Sequence, residues 1–132
     1  MYIGYVRPVL EYCVPLFSAS LTLKQINVIE SIQKRACRII LGSNYTSYDM
    51  ALKTLNLTSL ETRRDKLTKD FALKLEVNPF FKSWLPSLKT NAFNLRNINK
   101  YKEITCKTKR FQNSALPSLT RLLNRHYANP SL

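Results

Sequence analysis

The chain is 132 residues long, 45% hydrophobic, and carries 21 Lys plus Arg against 8 Asp plus Glu, a net charge of +13. That length and apolar content are enough for one domain with a core and exclude wholesale disorder, while so large a positive excess implies self-repulsion unless a polyanion or salt screens it. Two glycines and three scattered cysteines exclude a glycine-rich phosphate loop, a paired-cysteine zinc site and a complete disulfide framework.

In "MYIGYVRPVLEYCVPLF", Ile3, Val6, Leu10, Val14 and Phe17 recur at three- and four-residue intervals and predict one buried helical face, kinked or delimited by Pro8 and Pro15. The uncharged stretch from Tyr12 to Leu23 is too short and too broken by Pro and Ser to span a bilayer, and Arg7 and Glu11 interrupt what a signal peptide would need. A soluble intracellular protein with no membrane partner is expected. Cys13, Cys37 and Cys106 are expected as small buried residues or idle thiols.

The next segment, "TLKQINVIESIQKRACRIILG", has a capping-box signature in Thr22 and Gln25, an apolar stripe in Ile26, Ile29, Ile32, Ala36 and Ile39, and Gly42 suited to a left-handed C-terminal cap. Lys34 and Arg38 are helical neighbours, and with Arg35 they form a basic cluster beside that stripe. A shorter helix follows around "SYDMALKTLNL", with Met50, Ala51, Leu52 and Leu55 as the residues to bury.

"LETRRDKLTKDFALKL" opens after a second capping-box pattern, Thr58 with Glu61. Leu60, Leu67, Phe71 and Leu75 lie on one side, with Arg64 at its margin and its stem packed, leaving Arg63, Lys66, Lys69 and Asp70 for solvent or a ligand. Asn78 and Pro79 end this helix. Both aliphatic stripes read most simply as the interior of a small bundle, and alternatively as a surface for a missing neighbour.

Beyond Pro79 the chain is poorer in apolar periodicity, and residues 76–132 hold ten Lys and Arg against Glu76 and Glu103. The middle, "KTNAFNLRNINKYKEITCKTKRFQNSALP", reads as loop or short extended pieces, and a last helix, "PSLTRLLNRHY", begins near Pro117. The expected fold is mainly α: a small helical bundle over residues 1–78, followed by a basic, less regular segment over 79–132.

Catalytic vocabulary is thin. His126 has no acid after Glu103 to orient it, and the five-residue spacing of Asp65 and Asp70 puts them on different helical faces. No cofactor, metal or independent enzymatic activity is expected of this chain. Polyanion binding is better supported, through Lys34, Arg35 and Arg38, through Arg63 and Arg64, and through Lys107, Lys109 and Arg110, with Tyr101 and Phe111 as stacking platforms. The plainer alternative for each cluster is a solvated face, and for Phe111 a core anchor.

Four segments in order, "YVRPVLEYCVPLF", "INVIESIQKRACRIILG", "LNLTSLETRRDKL" and "TKRFQNSALPSLTRLLN", resemble the C-terminal portion of reverse transcriptases from non-LTR, jockey-like retrotransposons. The matching residues are Pro8, Leu10 and Tyr12; Ile29, Glu30, Gln33, Arg35, Ala36 and Arg38; and Leu57, Leu60, Arg63 and Arg64. The resemblance implies thumb and post-thumb helices of an RNA-directed DNA polymerase, lying beside a template–primer duplex, with Met1 an internal residue or a chance start and the palm and fingers as missing partners. No counterpart of the family's aromatic-Ala-Asp-Asp turn exists in the chain, so the implied activity is non-specific contact with RNA or DNA backbone. The alternative is an autonomous basic helical module that binds nucleic acid or docks another protein.

Overall fold

Proline placement decides the N-terminal architecture. The single helical face expected there is broken into a π-helical turn, Tyr2–Val6, helix α1, Arg7–Glu11, and helix α2, Val14–Phe17. Pro8 and Pro15 sit in the first turns of the two helices, where their missing N–H groups have no intrahelical acceptor to disappoint. Between them Cys13 takes φ +53°, a left-handed conformation that interrupts the helix. Of the expected face only Val14 is fully buried; Ile3 and Val6 are exposed, and Tyr2 takes the inward position.

The computed structural model describes residues 1–89 and 99–128. The protein is mainly α, and among the described residues the only β feature is an isolated antiparallel bridge between Leu88 and Tyr101. Helix α3, Leu23–Leu41, begins with the anticipated capping box: Thr22 Oγ1 accepts the Gln25 N–H at 3.3 Å and Gln25 Oε1 accepts the Thr22 N–H at 2.9 Å. It stops at Gly42, whose φ +53° and ψ −121° suit a residue without a Cβ. Helix α4, Tyr48–Thr54, is capped by Ser47 and closed by a Schellman turn, with Asn56 at φ +51° and the Leu57 N–H donating to the Leu52 carbonyl at 2.8 Å.

Helix α5, Leu60–Val77, starts one residue later than Thr58 capping would place it. Ser59 Oγ accepts the Thr62 N–H at 3.2 Å and acts as the cap, while the Thr58 carbonyl is taken by the Gln33 side chain at 2.9 Å. Among the described residues three more helices follow: α6, Pro79–Lys82; α7, Lys109–Gln112; and α8, Ala115–Ala128. Pro117 falls in the first turn of α8, as anticipated. The loop expectation for 89–117 is met by irregular backbone over 99–108, whereas α7 is a turn of helix that the composition did not suggest. Residues 90–98 of that stretch lie outside the described residues.

The chain forms two compact units, Met1–Val14 with Leu21–Lys66, and Pro15–Ser20 with Leu67–Leu132. Inside the first, Tyr2, Val14, Gln33, Cys37, Ala51, Leu60 and Arg64 are buried. Gln33 holds this interior together: its Oε1 accepts the Tyr2 hydroxyl at 2.7 Å, and its Nε2 donates to the Tyr48 hydroxyl at 3.1 Å as well as to Thr58. Tyr48 in turn donates to Glu30, which also accepts the Leu60 N–H at 3.3 Å, so one polar chain links the π turn, α3, α4 and the start of α5.

The second unit has an aliphatic centre of Ala72, Leu75, Leu85, Tyr101, Leu119 and Leu123, against which Phe71, Leu73, Phe81, Ala115 and Leu122 pack. Asn124 fixes the irregular strand to α8, its Oδ1 accepting the Tyr101 N–H at 2.9 Å and its Nδ2 donating to the Tyr101 carbonyl at 3.1 Å. Glu76 accepts hydrogen bonds from Lys100, Tyr101 and Tyr127.

Candidate functional site

Helix α3 turns part of its aliphatic stripe outward. The inward line runs through Gln33 and Cys37, both fully buried, with Ile26 and Ile29 half-buried beside them. Ile32 and Ile39, expected inside, are exposed instead, Ile39 by 73%, together with Val28 and Ile40. Lys24, Val28, Ile32, Arg35 and Ile39 follow one another at intervals of four, four, three and four residues, so they share one solvent-facing stripe. The physical reason is the polar network: burying Gln33 against Tyr2 and Tyr48 rotates the helix so that the aliphatic line passes out of the interior.

The basic cluster lies alongside. Lys34, Arg35 and Arg38 are all exposed. The Lys34 ammonium stands 5.1 Å from the centroid of the Tyr48 ring and the Arg38 guanidinium 5.3 Å from that of Tyr45, placing both cations over aromatic faces. The Tyr48 hydroxyl is pushed far above its ordinary pKa by burial and by its bond to Glu30, so it stays a neutral donor. An apolar cleft of about 290 Å³, lined by Met1, Tyr2, Tyr5, Val6, Ala36, Ile39 and Ile40, continues the stripe toward the π turn. Neither the tyrosine partners nor the outward turn of the isoleucines was anticipated, because both depend on contacts distant in sequence.

The arginines of "ETRRDK" behave differently. Arg63 makes a bidentate pair with Glu11, its Nη2 donating to Oε2 at 2.9 Å, and this pairing holds the guanidinium above its usual pKa. Arg64 is only 3% exposed. The surface expected for Arg63 is therefore corrected: spacing puts it opposite Glu11, and the stripe through Leu60 carries Arg64 inside. Lys107, Lys109 and Arg110 are exposed around α7, whose first turn is capped by Thr108, but they belong to the second unit, while Lys34, Arg35 and Arg38 belong to the first. Phe111 is half-exposed. Tyr101 is buried in the second unit's centre, so it is a core residue and no stacking platform.

Among the described residues no group of three His, Cys, Asp or Glu is placed to hold a metal ion, and no helix is long and apolar enough to cross a membrane. Cys37 is buried, and that burial raises its thiol pKa; Cys13 is exposed and Cys106 half-buried. A second cleft, of about 330 Å³, gathers Glu103, Cys106, Gln112 and Arg121. There the Cys106 thiol donates to the Ile104 carbonyl at 3.2 Å and Arg121 to the Gln112 carbonyl at 2.6 Å, so both groups fasten backbone.

No protein-family model, no curated protein and no solved structure matches the chain. The description as a retrotransposon reverse transcriptase fragment, a transposable-element RNA-directed DNA polymerase, is overturned by that result. The folded positions of the residues behind it show what the spacing does here. Leu60 and Arg64 are buried, Arg63 pairs with Glu11, and Gln33 joins three elements, so the shared pattern serves packing within this chain.

Proposed function

We propose that the chain is an autonomous basic helical interaction module whose helix α3 docks an acidic, amphipathic polypeptide segment. The observation that carries this reading is the pairing, on one solvent-facing stripe of α3, of Val28, Ile32 and Ile39 with Lys24 and Arg35, flanked by Arg38. A surface built only for a phosphate backbone needs cations and donors and gains nothing from branched aliphatic side chains. A helical partner with apolar anchors on one side and carboxylates at its edge meets both halves. The cleft beside Ile39 and Ile40 gives such an anchor a place to enter.

The test is the affinity of the intact chain for a labelled, Glu- and Leu-patterned amphipathic peptide, measured by anisotropy. The double variants Ile32→Ser/Ile39→Ser and Arg35→Glu/Arg38→Glu change exposed residues, so both should keep the wild-type circular dichroism while each weakens binding by about tenfold or more. Binding insensitive to the isoleucine changes would sink the reading.

A second reading, non-specific contact with RNA or DNA backbone, is favoured by the exposure of Lys107, Lys109 and Arg110 next to half-exposed Phe111. It requires that affinity for a mixed-sequence oligonucleotide fall steeply with salt, and that Lys109→Glu/Arg110→Glu lower both the affinity and that slope.

A further inference from the structure

In "NPFFKSWL", Phe80 with Trp84 and Phe81 with Leu85 are two pairs, each four residues apart. The second unit uses only one of them. Phe81 packs against the aliphatic centre and Leu85 is buried, whereas Phe80 is 69% and Trp84 51% exposed. Val77, at the end of α5, is 84% exposed. The three rings form an edge-on cluster, with centroids 5.2 Å apart for Phe80–Phe81, 5.0 Å for Phe81–Trp84 and 6.0 Å for Phe80–Trp84. The backbone below is well fastened: Asn78 Oδ1 accepts the Phe80 N–H at 3.0 Å, and Ser83 Oγ donates to the Phe80 carbonyl at 2.7 Å. The outward rings are thus held in place by inward ones.

Cations flank this knob. Lys74 lines a shallow depression with Val77, Asn78 and Pro79, Lys82 is exposed within α6, and the sequence from Val77 to Lys89 has no Asp or Glu. The neighbouring acid, Glu76, is occupied by Lys100, Tyr101 and Tyr127.

We propose that the Asn78–Trp84 turn is a contact for an anionic lipid surface, with Phe80 and Trp84 entering the headgroup boundary while Lys74 and Lys82 remain at the phosphates. A bilayer interface presents apolar depth and negative charge in adjoining layers, and aromatic rings with flanking lysines suit that gradient. A single-stranded nucleic acid fits less well, because stacked bases want open ring faces, whereas here the rings are packed edge to face and exposed Val77 offers nothing to a base. One short knob supports weak, reversible adhesion, in keeping with a chain whose described helices do not span a membrane. This site is in the second unit and does not rest on the α3 face.

Trp84 is the only tryptophan in the chain, so its emission reports this site alone. Titrated with mixed phosphatidylcholine–phosphatidylserine vesicles, the intact protein should show a blue-shifted emission and co-sediment, with both effects much reduced for pure phosphatidylcholine vesicles. Phe80→Ser/Trp84→Ser, which alters exposed side chains and should keep the wild-type circular dichroism, should abolish most of the co-sedimentation, and Lys74→Glu/Lys82→Glu should reduce it. Three results overturn the proposal: no emission shift with anionic vesicles; co-sedimentation unchanged in Phe80→Ser/Trp84→Ser, which would mark adhesion by net charge alone; or an emission shift with an acidic peptide or a single-stranded oligonucleotide and none with vesicles.

Discussion

Gln33 shows how one side chain sets the surface of the molecule. It is fully buried and bonds Tyr2, Tyr48 and Thr58 from two atoms of one amide. Replacing it by Leu keeps the volume but strands the Tyr2 hydroxyl, and a buried polar group left without a partner costs about 1–3 kcal/mol. Gln33→Leu should therefore lower the urea midpoint clearly with an unchanged slope, and an unaltered midpoint would show the network to be dispensable. Glu76 governs the acid side. Burial alone would raise its pKa, yet the bonds from Lys100, Tyr127 and Tyr101 outweigh burial and leave it below the ordinary carboxylate value. A lowered folded-state pKa gives stability that is complete above the unfolded carboxyl value, about 4.3, and is lost as pH falls through the folded one. Denaturant midpoints taken from neutral pH downward should fall in that acid range for the wild type. Glu76→Gln should start lower at neutral pH and lose less on acidification; parallel curves would remove Glu76 from the account.

The elements differ in how openly the sequence announces them. The capping box of Thr22 and Gln25 located α3 to the residue, since both bonds are local. The α5 start differs by one residue from the Thr58–Glu61 pattern because Ser59 is the cap, while Gln33, some 25 residues away, takes the Thr58 carbonyl. Periodicity found the stripes but not their phase: nothing local says that Gln33 goes in and Ile39 out. The same ambiguity governs the segment from Phe80 to Leu85, where Phe80, Phe81, Trp84 and Leu85 read alike and only packing against the second unit's centre separates Phe81 from Phe80. This gives an element-scale prediction. Phe81→Ala removes a partly buried ring from the core and should cost about 1–3 kcal/mol, below the figure for a fully buried Phe, while Phe80→Ala at a mostly exposed position should stay within about 0.5 kcal/mol. Thermal or urea unfolding of the two variants side by side decides it, and equal losses would mean that the two rings share one environment.

At the scale of the whole molecule the +13 charge and the ion pairs that hold the fold pull salt dependence in opposite directions. Lowering the Debye length from about 30 Å at 0.01 M to about 8 Å at 0.15 M screens repulsion among the exposed lysines and arginines. Two attractive pairs are well shielded: Arg63 with Glu11 is a bidentate contact of partly buried groups, and Lys100 with Glu76 is reinforced by Tyr101 and Tyr127. Salt acts little on such short contacts, so repulsion is the term that changes. The thermal midpoint of the free chain should therefore rise when NaCl is raised over that range at neutral pH. Binding to an acidic peptide, an oligonucleotide or anionic vesicles should weaken over the same range, because there the screened interaction is attractive. Opposite signs for stability and binding in one salt series are the signature of a positive excess kept for a partner. A midpoint that falls with salt would instead assign the excess to the fold, with the internal pairs outweighing the surface repulsion.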